Sequence, residues 1–403
     1  MLLNPMNLVT RLGLLAVFLA APAFAQLAVP SDGSDGHLVA SGKEYIIDLS
    51  QARDGSWDQN NAAFAGKGIY DASQWAVVFK YESVTIPNGT VVRFLNHRSR
   101  APVVWLVRGE VTIAGELDLS GETRFLPVLH NDYLIPSEPG PGGWRGGPAG
   151  PLGKGAGLGP GGGGGPGGGG GPGGGPGGVS NGAHASQYGN PELVPLVGGS
   201  GGSSLNQPAG GGGGAIVIVA GGIIDIRGMV KANGGRYGYA GGGTAAGGGV
   251  RLVANAVTGN GEISCLPDGR IRIEANTLDT TLRLAPETIA VPPEPSPVLW
   301  PTTNSPQVRI AGVAGKPVPA DPSAPLQAAA DVDIQSDLPV VVLIETQYFP
   351  LEGLVELRVA QKFGAAAWRP ATYLSGNALA ATWHVTNTFV KGYSVLQVRA
   401  TVP

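Results

Sequence analysis

Two stretches decide how this chain reads: APVVWLVRGEVTIAGELDLSG (Ala101–Gly121) and GAIVIVAGGIIDIRGMVKANG (Gly214–Gly234). At a constant offset of 113 residues, Val103 falls on Ile216, Trp105 on Ile218 and Val107 on Ala220. Val111, Ile113 and Leu117 then meet Ile224, Ile226 and Val230, while Gly109, Gly115 and Gly121 meet Gly222, Gly228 and Gly234. Each copy reads as three short strands of period two, cut by glycines that permit turns with positive φ. GVRLVANAVTGNGEISC (249–265) is a partial third copy, and GRIRIEANTLDTTLRL (269–284) continues the alternation.

Short β-branched strands joined by tight glycine turns predict a parallel β-helix or solenoid, each rung stacking its apolar side chains on the one below. Two packed sheets of a sandwich would also alternate. The offset is far longer than one rung, so it must contain an insertion, and that insertion is the Gly/Pro-rich stretch 138–214. After the Pro-rich segment PPEPSPVLWPTTNSP (292–306), an extended linker by composition, four clear strands follow: PVVVLIETQYFP, LVELRVAQ, LAATWHVTNTF and SVLQVRATVP. Their spacing suits a small immunoglobulin-like β-sandwich. The expected fold class is therefore all-β: a β-helix-like domain over 26–290 with its glycine insertion, a linker at 291–306 and a sandwich over 307–403.

The N-terminus reads as a secretory signal over residues 1–25. Arg11 supplies the positive charge, LGLLAVFLAAP (12–22) the apolar core and Ala23-Phe24-Ala25 a small-residue cleavage site. The apolar run is too short to span a membrane, and no later segment reads as transmembrane. Cys265 is the only cysteine, so a secreted chain would hold its fold without an intrachain disulfide. With 14% charged residues and a formal net charge of −3, no basic surface for nucleic acid is indicated.

Within the insertion, GPGGGGGPGGGGGPGGGPGG (159–178) breaks the strict triplet of collagen. Asp is absent between 138 and 222, which excludes calcium-binding glycine repeats. Lys154 lacks the context of a phosphate loop. Two readings stay open. One is a flexible excursion that leaves the strands and returns, tolerable because loop closure penalises length only logarithmically. The other is backbone-to-backbone packing of polyglycine-II-like segments.

The candidates for chemistry are sparse. On the second strand block Asp225, Arg227, Lys231 and Arg251 should face outward, and the first block offers Glu110, Glu116 and Asp118. His97, within the basic turn NHRSR (96–100), is a weak candidate base or ligand. The five histidines show no metal-ligand spacing. SDGSDG (31–36) offers oxygens but lacks the bidentate acid of a calcium loop. Trp144, in GGWRGG, is expected to be exposed or packed as an anchor. No catalytic set, cofactor or metal site is assigned.

SDGSDG, WAVVFKY (75–81), NHRSRAPVVWLVRGEVTIAG (96–115) and GGGGAIVIVAGGIIDIRGMVKANGG (211–235) together resemble glycine-rich exported proteins of environmental bacteria. The likeness covers about 31–284 and rests on structural motifs, so it implies export and transfers no functional residues. The functional expectation is an exported, non-enzymatic structural or adhesive protein of the cell envelope or extracellular space. Its partner would be an extracellular polysaccharide or a cell-surface component. The alternative is a carbohydrate-active enzyme, lyase or hydrolase, or a carbohydrate-binding protein.

Overall fold

The computed structural model describes residues 27–123, 135–150, 153–162, 188–204, 208–235, 243–322, 330–361 and 366–402. The signal segment and the tract 163–187 lie outside them. Among the described residues the regular secondary structure is almost wholly strand, with two short 3-10 turns and no α-helix.

The matched stretches pair directly. Val103–Val107 runs parallel to Ile216–Ala220 with Val103 opposite Ile216, Val111 lies opposite Ile224 and Leu117 opposite Val230. The third and fourth copies stack on these in parallel register, Ile216 on Val250 and Val250 on Ile271.

The expected β-helix followed by an immunoglobulin-like sandwich is nevertheless corrected. One strand, Ala76–Ile86, runs eleven residues without a turn. Its first half pairs with Val103–Val107 and its second half with Val111–Ile113. What would be two separate walls of a solenoid is thus one sheet of thirteen strands that doubles back through Ala76–Ile86, a near-closed and mostly parallel barrel. A second parallel sheet of six strands, from Glu44–Asp48 to Arg283–Ala285, faces it. Both sheets feed one core: Val103, Trp105, Ile216, Ile218, Val250 and Ile273 from the first, Leu117, Val230 and Ile263 from the second. Burying each aliphatic side chain of these columns is worth about 1.5–3 kcal/mol.

The wall carrying Val103–Val107 is apolar on its outer face too. Val104, Leu106, Val217 and Val219 are covered by Leu27, Leu193, Leu196 and Leu299. The segment read as a linker is therefore partly a cover, tied to the N-terminal end where Ala28 N–H donates to the Pro295 carbonyl at 2.8 Å.

At the C-terminus, antiparallel sheets of five and three strands share a core around Val342, Ile344, Trp383, Val355 and Leu357. Their five-to-three division differs from that of an immunoglobulin domain. These sheets are docked on the rest of the chain. Arg358, 1% exposed, donates from Nη1 to the Gly157 carbonyl at 2.9 Å, and Tyr70 Oη donates to Asp321 Oδ1 at 2.8 Å.

The glycines at 140–147 and 198–214 of the insertion are packed where they are described, which decides between the two readings for that part of the insertion. Gly210–Ala215 is the centre of a bundle of extended segments. Gly211 and Gly214 donate to the Glu122 and Leu119 carbonyls, Gly212 and Ala215 to Trp144 and Pro141, and Gly210 and Gly213 to Gly243 and Ala246. Gly199 and Gly202 donate in turn to the Gly213 and Gly210 carbonyls. Each neighbour is met every third residue, the period of a polyproline-II or polyglycine-II segment. Only bare backbone fits: a Cβ on Gly212 would sit 1.8 Å from the Gly199 oxygen, and one on Gly210 1.9 Å from that of Gly235.

Candidate functional site

The outward charges of the parallel sheets pair with one another, along a strand or across neighbouring strands. Asp225, 7% exposed in the middle of Ile224–Ile226, accepts from Arg227 Nη2 at 2.7 Å. Lys231 reaches Glu116 at 3.0 Å, Arg93 reaches Asp118 at 3.2 Å and Glu44 at 2.6 Å, and Arg283 reaches Glu262 at 3.2 Å. Arg251, expected to face solvent, is buried under the 292–300 segment. Its Nε and Nη2 lie 2.9 and 3.2 Å from Glu274, and Nη1 donates to the Val298 carbonyl at 2.6 Å. Glu110 is exposed at the edge of its turn.

His97 is 5% exposed, and its ring lies against Tyr70 at a centroid distance of 4.1 Å. Nδ1 is 2.8 Å from Ser99 Oγ, and that hydroxyl also accepts the Ala101 N–H at 3.2 Å. Burial, aided by the Arg98 charge, holds the imidazole below its ordinary pKa, so it is neutral near pH 7. The arrangement is a turn clamp: the hydroxyl is spent on backbone, and among the described residues no carboxylate is hydrogen-bonded to the imidazole to orient it as a base.

The carboxylates of SDGSDG are already taken within the fold, Asp32 by an internal cation and Asp35 by backbone and amide donors. Lys80, 2% exposed, places its ammonium 3.4 Å from Asp32 Oδ2 and donates to the Asp58 and Gln59 carbonyls. Asp35 is buried and accepts from the Lys80 and Gly66 N–H groups and the Asn61 amide. Among the described residues no cluster of three or more His, Cys, Asp or Glu side chains is placed to hold a metal. Cys265 is fully buried, and burial pushes its thiol well above the ordinary range.

The concave feature with concentrated chemistry lies elsewhere, where the glycine bundle meets the C-terminal sheets. A cleft of about 430 Å³ there is lined by Arg98, Arg100 and Arg145 together with Trp144, Trp368 and Tyr393. The NHRSR turn supplies two arginines, and GGWRGG supplies Trp144 and Arg145. Arg100 and Arg145 share one carboxylate, Glu138, at 3.2 and 2.6 Å. Arg98 is exposed and makes no ion pair with any described residue. Trp144 is fixed edge-on by Tyr188 at 5.6 Å and lies 6.3 Å from Trp75. Trp368 carries the Arg399 guanidinium over its ring at 4.4 Å.

The basic turn and Trp144 are both visible in the sequence. Their meeting is not, because Trp368 and Tyr393 arrive from more than 200 residues downstream. No known family model, curated protein or solved structure matches the chain.

Proposed function

We infer that the chain is an exported, non-enzymatic structural protein with an adhesive role in the cell envelope or extracellular space. The observation that carries this reading is the pairing of outward charges on the parallel sheets. A glycan-cleaving centre needs one carboxyl free to donate a proton and a second free to attack or to activate water. Here Asp225 is held by Arg227 two residues along the same segment, while Glu116 is held by Lys231 and Glu262 by Arg283 across neighbouring strands, so these acids and bases are engaged with one another. The N-terminal segment supports export by its charge, apolar core and small-residue cleavage site.

Two measurements test it. Fractionation of the producing cell should find the chain, cut near Ala25, outside the inner membrane. The purified protein should release no product from a panel of plant and bacterial polysaccharides. Turnover that is abolished by Asp225→Ala or Arg227→Ala would overturn the reading in favour of a carbohydrate-active enzyme.

A further inference from the structure

We propose that the cleft between the glycine bundle and the C-terminal sheets binds acidic saccharide chains, those whose sugar rings carry carboxylates. The proposal rests on the adhesive reading above and gives it a ligand class.

Three features of the cleft converge on that chemistry. The first is charge. Three arginines face two acids: Arg100 and Arg145 divide the Glu138 carboxylate between them, Asp331 also lines the cleft, and Arg98 projects with no ion-pair partner among the described residues, so an excess of positive charge remains. Guanidinium groups present planar pairs of N–H donors that match a carboxylate two bonds at a time, and these charge-assisted bonds are the strong ones. The second is aromatic surface. Trp144 and Tyr393 line this space beside Trp368, whose ring already carries the Arg399 guanidinium at 4.4 Å. The C–H face of a pyranose is apolar and slightly positive, so it complements the negative face of an indole or phenol ring. The third is preparation. Trp144 is packed between Trp75 and Tyr188, and Arg145, 7% exposed, is fixed by its 2.6 Å contact to Glu138. Groups already held in place lose little freedom when a ligand arrives. At about 430 Å³ the cleft has room for a short saccharide segment, and it lies between two packed units, where binding sites often form.

The other concentrations of polar groups do not offer this combination. The recess beside Tyr70 and Asp321 is lined mainly by acids and small polar groups, with Arg98 at its rim. In the Asp32–Asp35 turn, the Lys80 ammonium occupies Asp32, and backbone N–H groups with the Asn61 amide occupy Asp35.

Calorimetric titration of the purified full-length protein provides the test, with an oligogalacturonate as probe and a neutral malto-oligosaccharide of equal length as comparison. The oligogalacturonate should bind at least tenfold more tightly than the neutral chain. Arg98→Ala should weaken it about tenfold or more, with Arg98→Lys falling between because it keeps the charge and loses the fork. Arg98 is exposed and unpaired, so its variants should unfold at the parent temperature, which separates lost binding from lost fold. Trp144→Ala gives a second loss of binding, to be read only beside its own melting curve.

No binding of the oligogalacturonate, equal binding of the neutral chain, or unchanged binding by Arg98→Ala would each overturn the proposal while leaving a purely structural role intact. Cleavage of the bound oligomer would instead confirm the ligand class and overturn the non-enzymatic reading.

Discussion

Replacing Gly212 by Ala should be among the most damaging single substitutions this protein can suffer, although it adds only one methyl group. The backbone at Gly212 does not need a left-handed φ; what it lacks is room. The new Cβ would lie 1.8 Å from the Gly199 oxygen and 2.5 Å from its carbon. Carbon and oxygen rest in contact at about 3.3 Å, so the two segments must separate by about 1.5 Å. That movement strains the bonds that hold Gly212 in the bundle: its N–H to the Trp144 carbonyl at 2.9 Å, the Gly140 N–H to its own carbonyl at 2.9 Å, and the adjacent Gly199-to-Gly213 bond at 2.8 Å. A hydrogen bond stretched by that much is lost. Three buried bonds at about 1 kcal/mol each, with about 1–3 kcal/mol of overpacking, give a cost of about 4–6 kcal/mol. Gly89→Ala is the matched control. Its φ of +82° makes alanine strained, but nothing lies within 4 Å of the new Cβ, so it should cost about 1–2 kcal/mol. Urea unfolding of both variants and the parent measures the difference as a shift of midpoint. If Gly212→Ala costs no more than Gly89→Ala, the close approach of glycine backbones is refuted.

Other outcomes follow from the polar and sulfur groups. Glu274→Ala leaves Arg251, 3% exposed, without the carboxylate that meets both its Nε and Nη2, and should cost about 3–5 kcal/mol in urea unfolding. Glu262→Ala breaks a partly exposed pair with Arg283 and should cost less than about 1 kcal/mol. Cys265 should resist iodoacetamide in the native protein and react after denaturation, because burial disfavours its thiolate. Rapid native labelling would contradict its place in the core. Burial resists ionisation of Asp32, but the Ser34 and Asn60 hydrogen bonds and the Lys80 charge outweigh it and hold the carboxyl at about 2, below its ordinary 3.8. A depressed folded pKa stabilises above the unfolded value, so this contribution is complete above about pH 4 and fades as the pH falls toward 2. Asp35 is pushed upward by burial and works in the opposite sense, so thermal melts of Asp32→Asn and parent across that window isolate the effect. Equal acid sensitivity of the two would contradict it.

The register of the parallel sheets was legible because side chains announce it. Val103 over Ile216 and Leu117 over Val230 are apolar partners whose alternation marks both the face and the pairing. The near-closed sheet was not legible, since Ala76–Ile86 alternates like any strand and nothing in its side chains says that it serves two walls. The glycine bundle hides for a different reason. Its pairing lies in backbone groups, and when glycine fills all three positions of the repeat, composition carries no phase. Arg251 misled because alternation places a residue on a face of a strand without saying what covers that face, here the 292–300 segment. The cleft was half visible: NHRSR and GGWRGG are evident as basic and aromatic turns, whereas only the tertiary fold brings Trp368 and Tyr393 beside them.

The threefold phase of Gly210–Ala215, whose N–H groups return to the same neighbour at every third residue, sets a rule for how such a region can grow. Adding or removing three residues restores every donor to its old direction and changes only length. Adding one or two turns every later amide about a third of a revolution toward the wrong neighbour. Viable length variants should therefore differ by whole codon triplets in groups of three, nine nucleotides at a time, a reading frame above the genetic one that the packed backbone itself would proofread.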